Sequence, residues 1–299
     1  MHGALFLRIR LGCLWAVLLL VGLVVLAVAV VAVQARRTPA GTPEYVALGS
    51  SFAAGADLGP LQRGSPLLCA RSVNGYPQQL ARRLDLSIID MSCGGAVTRH
   101  VLKGGQFFQR AQIRAVTPQT RLVTLTVGGN DIGYVGDLSL LAARKDASPF
   151  GWLVRTFWRG PEPAAGRAYD TLGDELLATI RAVKARSPQA VVAVAAYPAL
   201  LPEEGTCDAL GLSPSEAALM RDVGDRLAAT TEAAARAGGA IYVDMNRLGQ
   251  AHDPCSPEPW TRGWKKAGAA PFHPTLRGAE ATAEQIAMAL THVSGFAQP

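Results

Sequence analysis

The sequence predicts an α/β/α sandwich on a five-stranded parallel sheet, preceded by one N-terminal apolar segment. Three observations carry this reading. Five short apolar runs recur along the chain, each followed by a polar or Gly-rich turn and a helical stretch. The runs are nearly continuous rather than alternating, as strands covered on both faces are. At 299 residues, 49% hydrophobic and 17% charged, the chain can bury a large core, and a wholly disordered chain is excluded.

The first element is residues 11–33, which carry no charge and are almost all Leu, Val, Ala and Gly. A bilayer core needs about 20 such residues. Arg8 and Arg10 precede the run, and Val33-Gln34-Ala35 has the small residues of a cleavage site. Residues 1–35 are therefore a signal anchor or a signal peptide. The run exceeds the roughly 7–15 residues of a signal core, which favours the anchor. A single crossing excludes a multi-span transporter. Residues 36–44 read as a polar linker, and 45–299 as one domain.

Within that domain, strands are expected at 45–49, 86–91, 122–127, 190–196 and 240–244. Helices are expected at 77–84, 105–116, 169–186, 215–237 and 275–291. Ser187-Pro188 stops the third of these; Ser213-Pro214 starts the fourth, and Gly238-Gly239 ends it. Residues 138–166 form a longer excursion, with Phe150, Trp152, Phe157 and Trp158 among Arg144, Lys145, Arg155 and Arg159. It reads either as an inserted helix packed on the body or as a lipid-contacting patch.

Net charge is +6, two of it from Arg8 and Arg10, and no basic run follows, so no nucleic-acid partner is expected. Beyond Cys13 lie Cys69, Cys93, Cys207 and Cys255, without the close spacing of a zinc or CxxC site. Behind an export segment, an even count points to disulfides. Three connectivities are open; Cys69–Cys93 with Cys207–Cys255 is preferred because each closes a loop within one half of the chain. The sequence holds no HExxH, Walker A, dinucleotide-binding glycine motif or G-x-S-x-G elbow. No metal and no cofactor are expected.

Parallel sheets build their sites at the carboxyl ends of the strands. There the sequence offers Gly49-Ser50-Ser51, Cys93-Gly94-Gly95-Ala96 and Gly128-Gly129-Asn130-Asp131, with Phe272-His273-Pro274 before the last helix. Together they supply a hydroxyl, bare backbone N–H groups, an amide and an imidazole, which are the parts of a serine acyl-transfer site. In this order they resemble the four blocks of the SGNH (GDSL-type) hydrolase superfamily, most nearly its secreted actinobacterial esterases, lipases and phospholipases. The resemblance runs from about residue 45 to 290 and implies a flavodoxin-like fold.

It also implies roles. Ser51 matches the nucleophile and His273 the general base. The Ser51 N–H, Gly95 and Asn130 match the oxyanion hole. The family often has Asp where Ser50 stands. Its Asp-x-x-His motif is missing its acid, because Ala270 lies three residues before His273. The expected orienter of His273 is then the Ala270 backbone carbonyl, with Asp253 as the alternative acid. Trp260 and Trp264, just upstream of His273, are candidates to wall the acyl or the leaving-group pocket. Asp131 is expected to bond within its own loop, and His252 to structure the HDPC stretch.

The expected function is an exported serine ester hydrolase working through an acyl-Ser51 intermediate. Its substrate would be an ester on a lipid or an acylated glycan. It would be tethered by residues 11–33 or secreted. Two alternatives are an acyltransferase or deacetylase of envelope glycans or lipids, and a non-catalytic binding module that kept the fold.

Overall fold

The computed structural model describes residues 2–36, 41–264, 270–293 and 296. Helix α1 (His2–Ala35) is uninterrupted. Its Cys13–Val33 stretch has 21 residues of mean hydropathy 3.3, none of it buried. In chain order there follow β1 (Tyr45–Gly49), α2 (Ser51–Ala54), α3 (Tyr76–Leu84), β2 (Ile88–Asp90), α4 (Thr98–Leu102), β3 (Leu122–Thr126), α5 (Tyr134–Ala143) and α6 (Pro149–Phe157). Then come α7 (Tyr169–Arg186), β4 (Val191–Ala195), α8 (Pro214–Ala237), β5 (Ile241–Val243), α9 (Met245–Leu248) and α10 (Leu276–Leu290).

The five strands pair in parallel in the order β2-β1-β3-β4-β5. Val46 lies opposite Val123, and Val123 opposite Val192. The chain steps from β1 to β2 on one side, then returns to place β3 on the other. The carboxyl ends of β1 and β3 therefore flank the topological switch point, where such sheets open a crevice.

Period-two alternation sorts the strand residues onto two cores. Val46, Leu48, Val123, Leu125, Val192 and Val194 face α5, α7 and α8, meeting Leu138, Leu172, Ile180 and Leu227. Tyr45, Ala47, Leu122, Ala193 and Ala195 face α3 and α10, meeting Leu80, Ala279, Ala283 and Ile286. The second face is rich in alanine, so α10 lies close to the sheet. Polar groups within it are paired: Tyr45 Oη meets Thr124 Oγ1 at 2.7 Å, and Tyr76 Oη meets Thr126 Oγ1 at 3.0 Å.

One expected helix does not form. Residues 105–116 fold as two 3₁₀ turns, Gln106–Phe108 and Gln112–Ala115. Gly104, Gly105, Phe107 and Phe108 all have positive φ, which a right-handed helix cannot accommodate. The helix on that side is instead α4. The 138–166 excursion is mostly helical, with α5 beginning earlier than expected and α6 inside it.

Cys69 is bonded to Cys93 and Cys207 to Cys255. The loops they close, 24 and 48 residues apart in sequence, suit an entropic stabilisation of about 3–4 kcal/mol each.

Helix α8 begins with a capping box. Ser213 Oγ accepts the Glu216 N–H, and Glu216 Oε2 accepts the Ser213 N–H at 2.7 Å. The same carboxylate holds Arg144 and Lys145, each at 2.7 Å, and so ties the 138–166 excursion to the body. Burial raises its pKa, but the bonds from Lys145, Ser213 and Arg144 outweigh burial and bring it down to about 2. Its folded pKa is depressed, so its stabilisation is complete above pH 4.5 and fades as pH falls towards 2. Glu216→Gln is expected to cost about 1–2 kcal/mol at pH 7, roughly 2–6 °C in Tm. The gap to the parent should close in thermal melts near pH 2; a gap that persists there would assign the loss to packing.

Candidate active site

Strand β1 must end tightly for the site to form. Gly49 has φ +145°, and a Cβ there would sit 2.3 Å from the Thr126 carbonyl oxygen of β3. The buried Gln112 amide bonds both backbone groups of Gly49, at 2.8 and 3.0 Å. Ser50 is fully buried; its N–H donates to Thr126 O, and its Oγ meets Tyr197 Oη at 2.9 Å. This anchoring leaves Ser51 as the first residue of α2, with its hydroxyl at the cleft.

Ser51 Oγ lies 2.8 Å from His273 Nε2, across 222 residues of sequence. The other ring nitrogen, Nδ1, is 2.8 Å from the Pro271 carbonyl oxygen. A carbonyl only accepts, so Nδ1 carries the proton and Nε2 presents its lone pair to the serine hydroxyl. Burial lowers the His273 pKa below its ordinary 6.5, and the Arg262 cation acts the same way. The Pro271 carbonyl and the Asp57 carboxylate oppose this without reversing it. The imidazole is therefore neutral near pH 7.

The orienting carbonyl is that of Pro271, not of Ala270. The cause is local: Phe272 has φ +55°, and this left-handed residue curls the chain so that the carbonyl two positions back meets the ring. The Phe272 side chain is fully buried and holds the curl in place. Ala270 instead lines the cleft. Asp253 does not substitute either: its carboxylate accepts the Cys255 N–H at 2.6 Å within its own turn.

On the facing wall, Gly95 adopts φ +74°, and Asn130 Nδ2 donates to Ala96 O at 2.9 Å. Among the described residues, neither the Ser51 nor the Gly95 N–H donates to a protein acceptor. Asp131 reaches beyond its own loop and accepts the Thr98 N–H at 2.9 Å, so it ties the Asn130 turn to α4. Burial raises its pKa, while its bonds to Thr98 pull the other way. Ser51, Gly95, Asn130, Pro271 and His273 share one cleft of about 630 Å³.

Trp260 and Trp264 do not wall it. Trp260 packs in the α10 core and stacks on His252, with ring centroids 4.4 Å apart. Trp264 Nε1 donates to Asp146 Oδ2 at 3.1 Å. Sequence reasoning missed Pro271, Gln112 and Tyr197. Tyr197 Oη also accepts the Gly129 N–H at 3.2 Å, so one hydroxyl braces both the Ser51 and the Asn130 turns.

A serine hydroxyl bonded to a neutral imidazole can give up its proton as it attacks a carbonyl, and nearby N–H donors can stabilise the oxyanion that forms. With the sheet topology, that arrangement defines an α/β/α ester hydrolase. Residues 47–281 match the GDSL-like Lipase/Acylhydrolase family. The chain is 33% identical to Lipase 2 of Streptomyces coelicolor over 277 residues, covering 85% of this chain and 87% of that protein. It is 30% identical to a lipase of Streptomyces rimosus over 250 residues, covering 83% and 85%. The crystal structure of the extracellular S. rimosus lipase superposes with a TM-score of 0.66 at 27% identity, covering 83% of this chain and all of that one. Phospholipase A1 from Streptomyces albidoflavus superposes at 0.65 and 28% identity, covering 82% and 98%. The chain belongs to the GDSL-like lipase/acylhydrolase family, and it is an ester-hydrolysing enzyme. Its apolar N-terminal helix has the character of a signal or an anchor, and its disulfides suit an exported protein.

Proposed function

We propose that this enzyme is an exported, membrane-tethered serine esterase of lipid-borne carboxylic esters, with Ser51 as nucleophile and His273 as base. The observation that carries this reading is the 2.8 Å bond between Ser51 Oγ and His273 Nε2, with Nδ1 fixed by Pro271.

In the first half-reaction, Ser51 Oγ bonds to the ester carbonyl carbon and its proton passes to His273 Nε2. The carbonyl oxygen becomes an oxyanion among the Ser51 N–H, the Gly95 N–H and the Asn130 amide. Collapse breaks the bond to the alcohol oxygen, which takes the proton from His273 and leaves. Water then attacks acyl-Ser51, giving its proton to His273; the acid departs and Ser51 recovers its proton. The Pro271 carbonyl dipole stabilises the transient imidazolium in place of a carboxylate. This supplies the acceptor that the Ala270 side chain cannot, so the lack of an Asp at that position does not argue for a non-catalytic module.

A lipid-borne substrate is favoured by the likeness to a phospholipase A1 and two lipases. The length of the apolar Cys13–Val33 stretch favours a tether over a cleaved leader. The test is hydrolysis of p-nitrophenyl esters of graded chain length by the full chain and by Ser51→Ala. Turnover by the parent alone is expected, and its chain-length optimum sizes the acyl pocket. Turnover surviving in Ser51→Ala would sink the proposal.

The pH profile provides a second check. The base must be neutral to take the serine proton, and its pKa is lowered by burial. The acid limb of kcat/KM is therefore expected to have its midpoint below 6.5, with activity lost as pH falls through it. A midpoint above 6.5 would contradict the burial of His273.

A further inference from the structure

Two exposed apolar turns stand at the rim of the cleft, beside Gly95. The first holds Leu67, 75% exposed, and Leu68, 55%; the second holds Phe107, 40%, and Phe108, 48%. Both are tied to the wall that carries Gly95. The Gly94 N–H donates to Cys69 O at 2.9 Å, and Gln106 Nε2 donates to Gly94 O at 2.6 Å. The Cys69–Cys93 disulfide joins the first turn to that wall covalently.

Phe107 and Phe108 have φ values of +47° and +65°. A left-handed conformation is unfavourable for a non-glycine residue. Such a conformation is normally held by burial, yet neither side chain is buried. The turn thus keeps two strained, partly exposed aromatic residues next to the cleft.

Charge adds to the pattern. Residues 58–84 and 91–130 contain no Asp or Glu, while Arg63, Lys103 and Arg110 beside these turns are exposed. Helix α1 lies against the Gln106–Phe108 turn, and Ala35 at its end is buried. The amino end of β1 lies at the end of the strand opposite the cleft. Even so, the roughly ten residues from Ala35 to Tyr45 reach at most about 35 Å, twice the ~17 Å of a short strand. The membrane span thus ends on the side of the molecule where the cleft opens.

We infer that the Leu67–Leu68 and Phe107–Phe108 turns form a docking surface for an anionic lipid bilayer, the one α1 crosses, and that they hold the cleft mouth at the lipid surface. The apolar side chains enter the interface while Arg63, Lys103 and Arg110 meet lipid phosphates. An ester then passes from the bilayer into the cleft without crossing water. This rests on the esterase and tether reading above.

The test uses the full chain in vesicles of phosphatidylcholine, with and without roughly one-third phosphatidylglycerol. The variant is Leu67→Ser/Leu68→Ser/Phe107→Asn/Phe108→Asn; asparagine tolerates left-handed φ better than phenylalanine, so the fold is not penalised. Hydrolysis of water-soluble p-nitrophenyl butyrate should stay within about twofold of the parent, while hydrolysis of a bilayer-resident fluorogenic phospholipid falls about tenfold. Equal rates on the phospholipid would overturn the docking surface. A second measurement does not need catalysis: hydrogen exchange on Ser51→Ala, which leaves the lipids intact if Ser51 is the nucleophile. Residues 61–70 and 104–110 should exchange about fivefold more slowly in the anionic vesicles than in the neutral ones. Equal exchange, protection on α6 instead, or protection that follows protein concentration without vesicles would each overturn the inference. A parent that hydrolyses neither ester, yet shows the lipid-dependent protection, would refute the esterase reading and leave the docking surface standing.

Discussion

Ser51→Ala, His273→Ala and the double variant are each expected to lose about 10⁶-fold in kcat, which takes turnover to the background of the assay, with the double variant little worse than either single one. The reason is that the two side chains act as one unit. Ser51 Oγ is bonded to His273 Nε2, and without the imidazole the hydroxyl keeps its proton at neutral pH. Without the hydroxyl, the imidazole has nothing to activate. Losses that multiplied would mean two independent contributions and would contradict a shared proton transfer. Folding should survive the serine change. Ser51 is small, its hydroxyl bonds only His273 among the described residues, and Gly49, Ser50 and Phe52 around it are held by Gln112, Thr126 and Tyr197. Steady-state kinetics on p-nitrophenyl butyrate, beside thermal melts, separates loss of chemistry from loss of fold. A phosphonate probe should add its mass at Ser51 in the parent and not in His273→Ala.

The frame of this molecule is legible in its sequence for a plain physical reason. Strands buried on both faces must be continuously apolar, so YVALG and LVTLTV stand out, and the sites at their ends follow from topology. Side-chain chemistry is legible by its order along the chain: Ser51 follows β1, Asn130 follows β3 and His273 precedes α10. Backbone chemistry is not. The carbonyl that orients His273 could belong to any residue, and its choice depends on the left-handed φ of Phe272. No residue-type preference predicts a phenylalanine in that conformation. Phe107 and Phe108 defeat pattern reading likewise, because apolar residues at helical spacing read as a helix until the backbone turns left-handed. Gln112 and Tyr197 stayed hidden because they act across 63 and 147 residues, distances at which spacing carries no information.

Asn130→Ala is expected to lower kcat by about 10²–10³-fold, equal to about 2.7–4 kcal/mol of barrier, while changing KM by less than about threefold. Asn130 Nδ2 has two hydrogens; one is used on Ala96 O, and the other is available to the oxygen of a bound carbonyl. That oxygen carries little charge in the ground state and a nearly full charge in the tetrahedral intermediate, so the lost bond matters to kcat far more than to KM. The acid limb of the pH profile should not move, because His273 keeps Pro271 and its burial. This feature separates a lost donor from a loosened site, since loosening would let water reach His273 and raise its pKa towards 6.5. Asn130→Asp gives a sharper version of the test. It keeps the size of the side chain but replaces a donor with a carboxylate facing a developing anion, so it should be worse than alanine. An aspartate variant as active as the alanine one would mean that Asn130 only braces the Ala96 loop and that the backbone N–H groups of Ser51 and Gly95 carry the oxyanion alone.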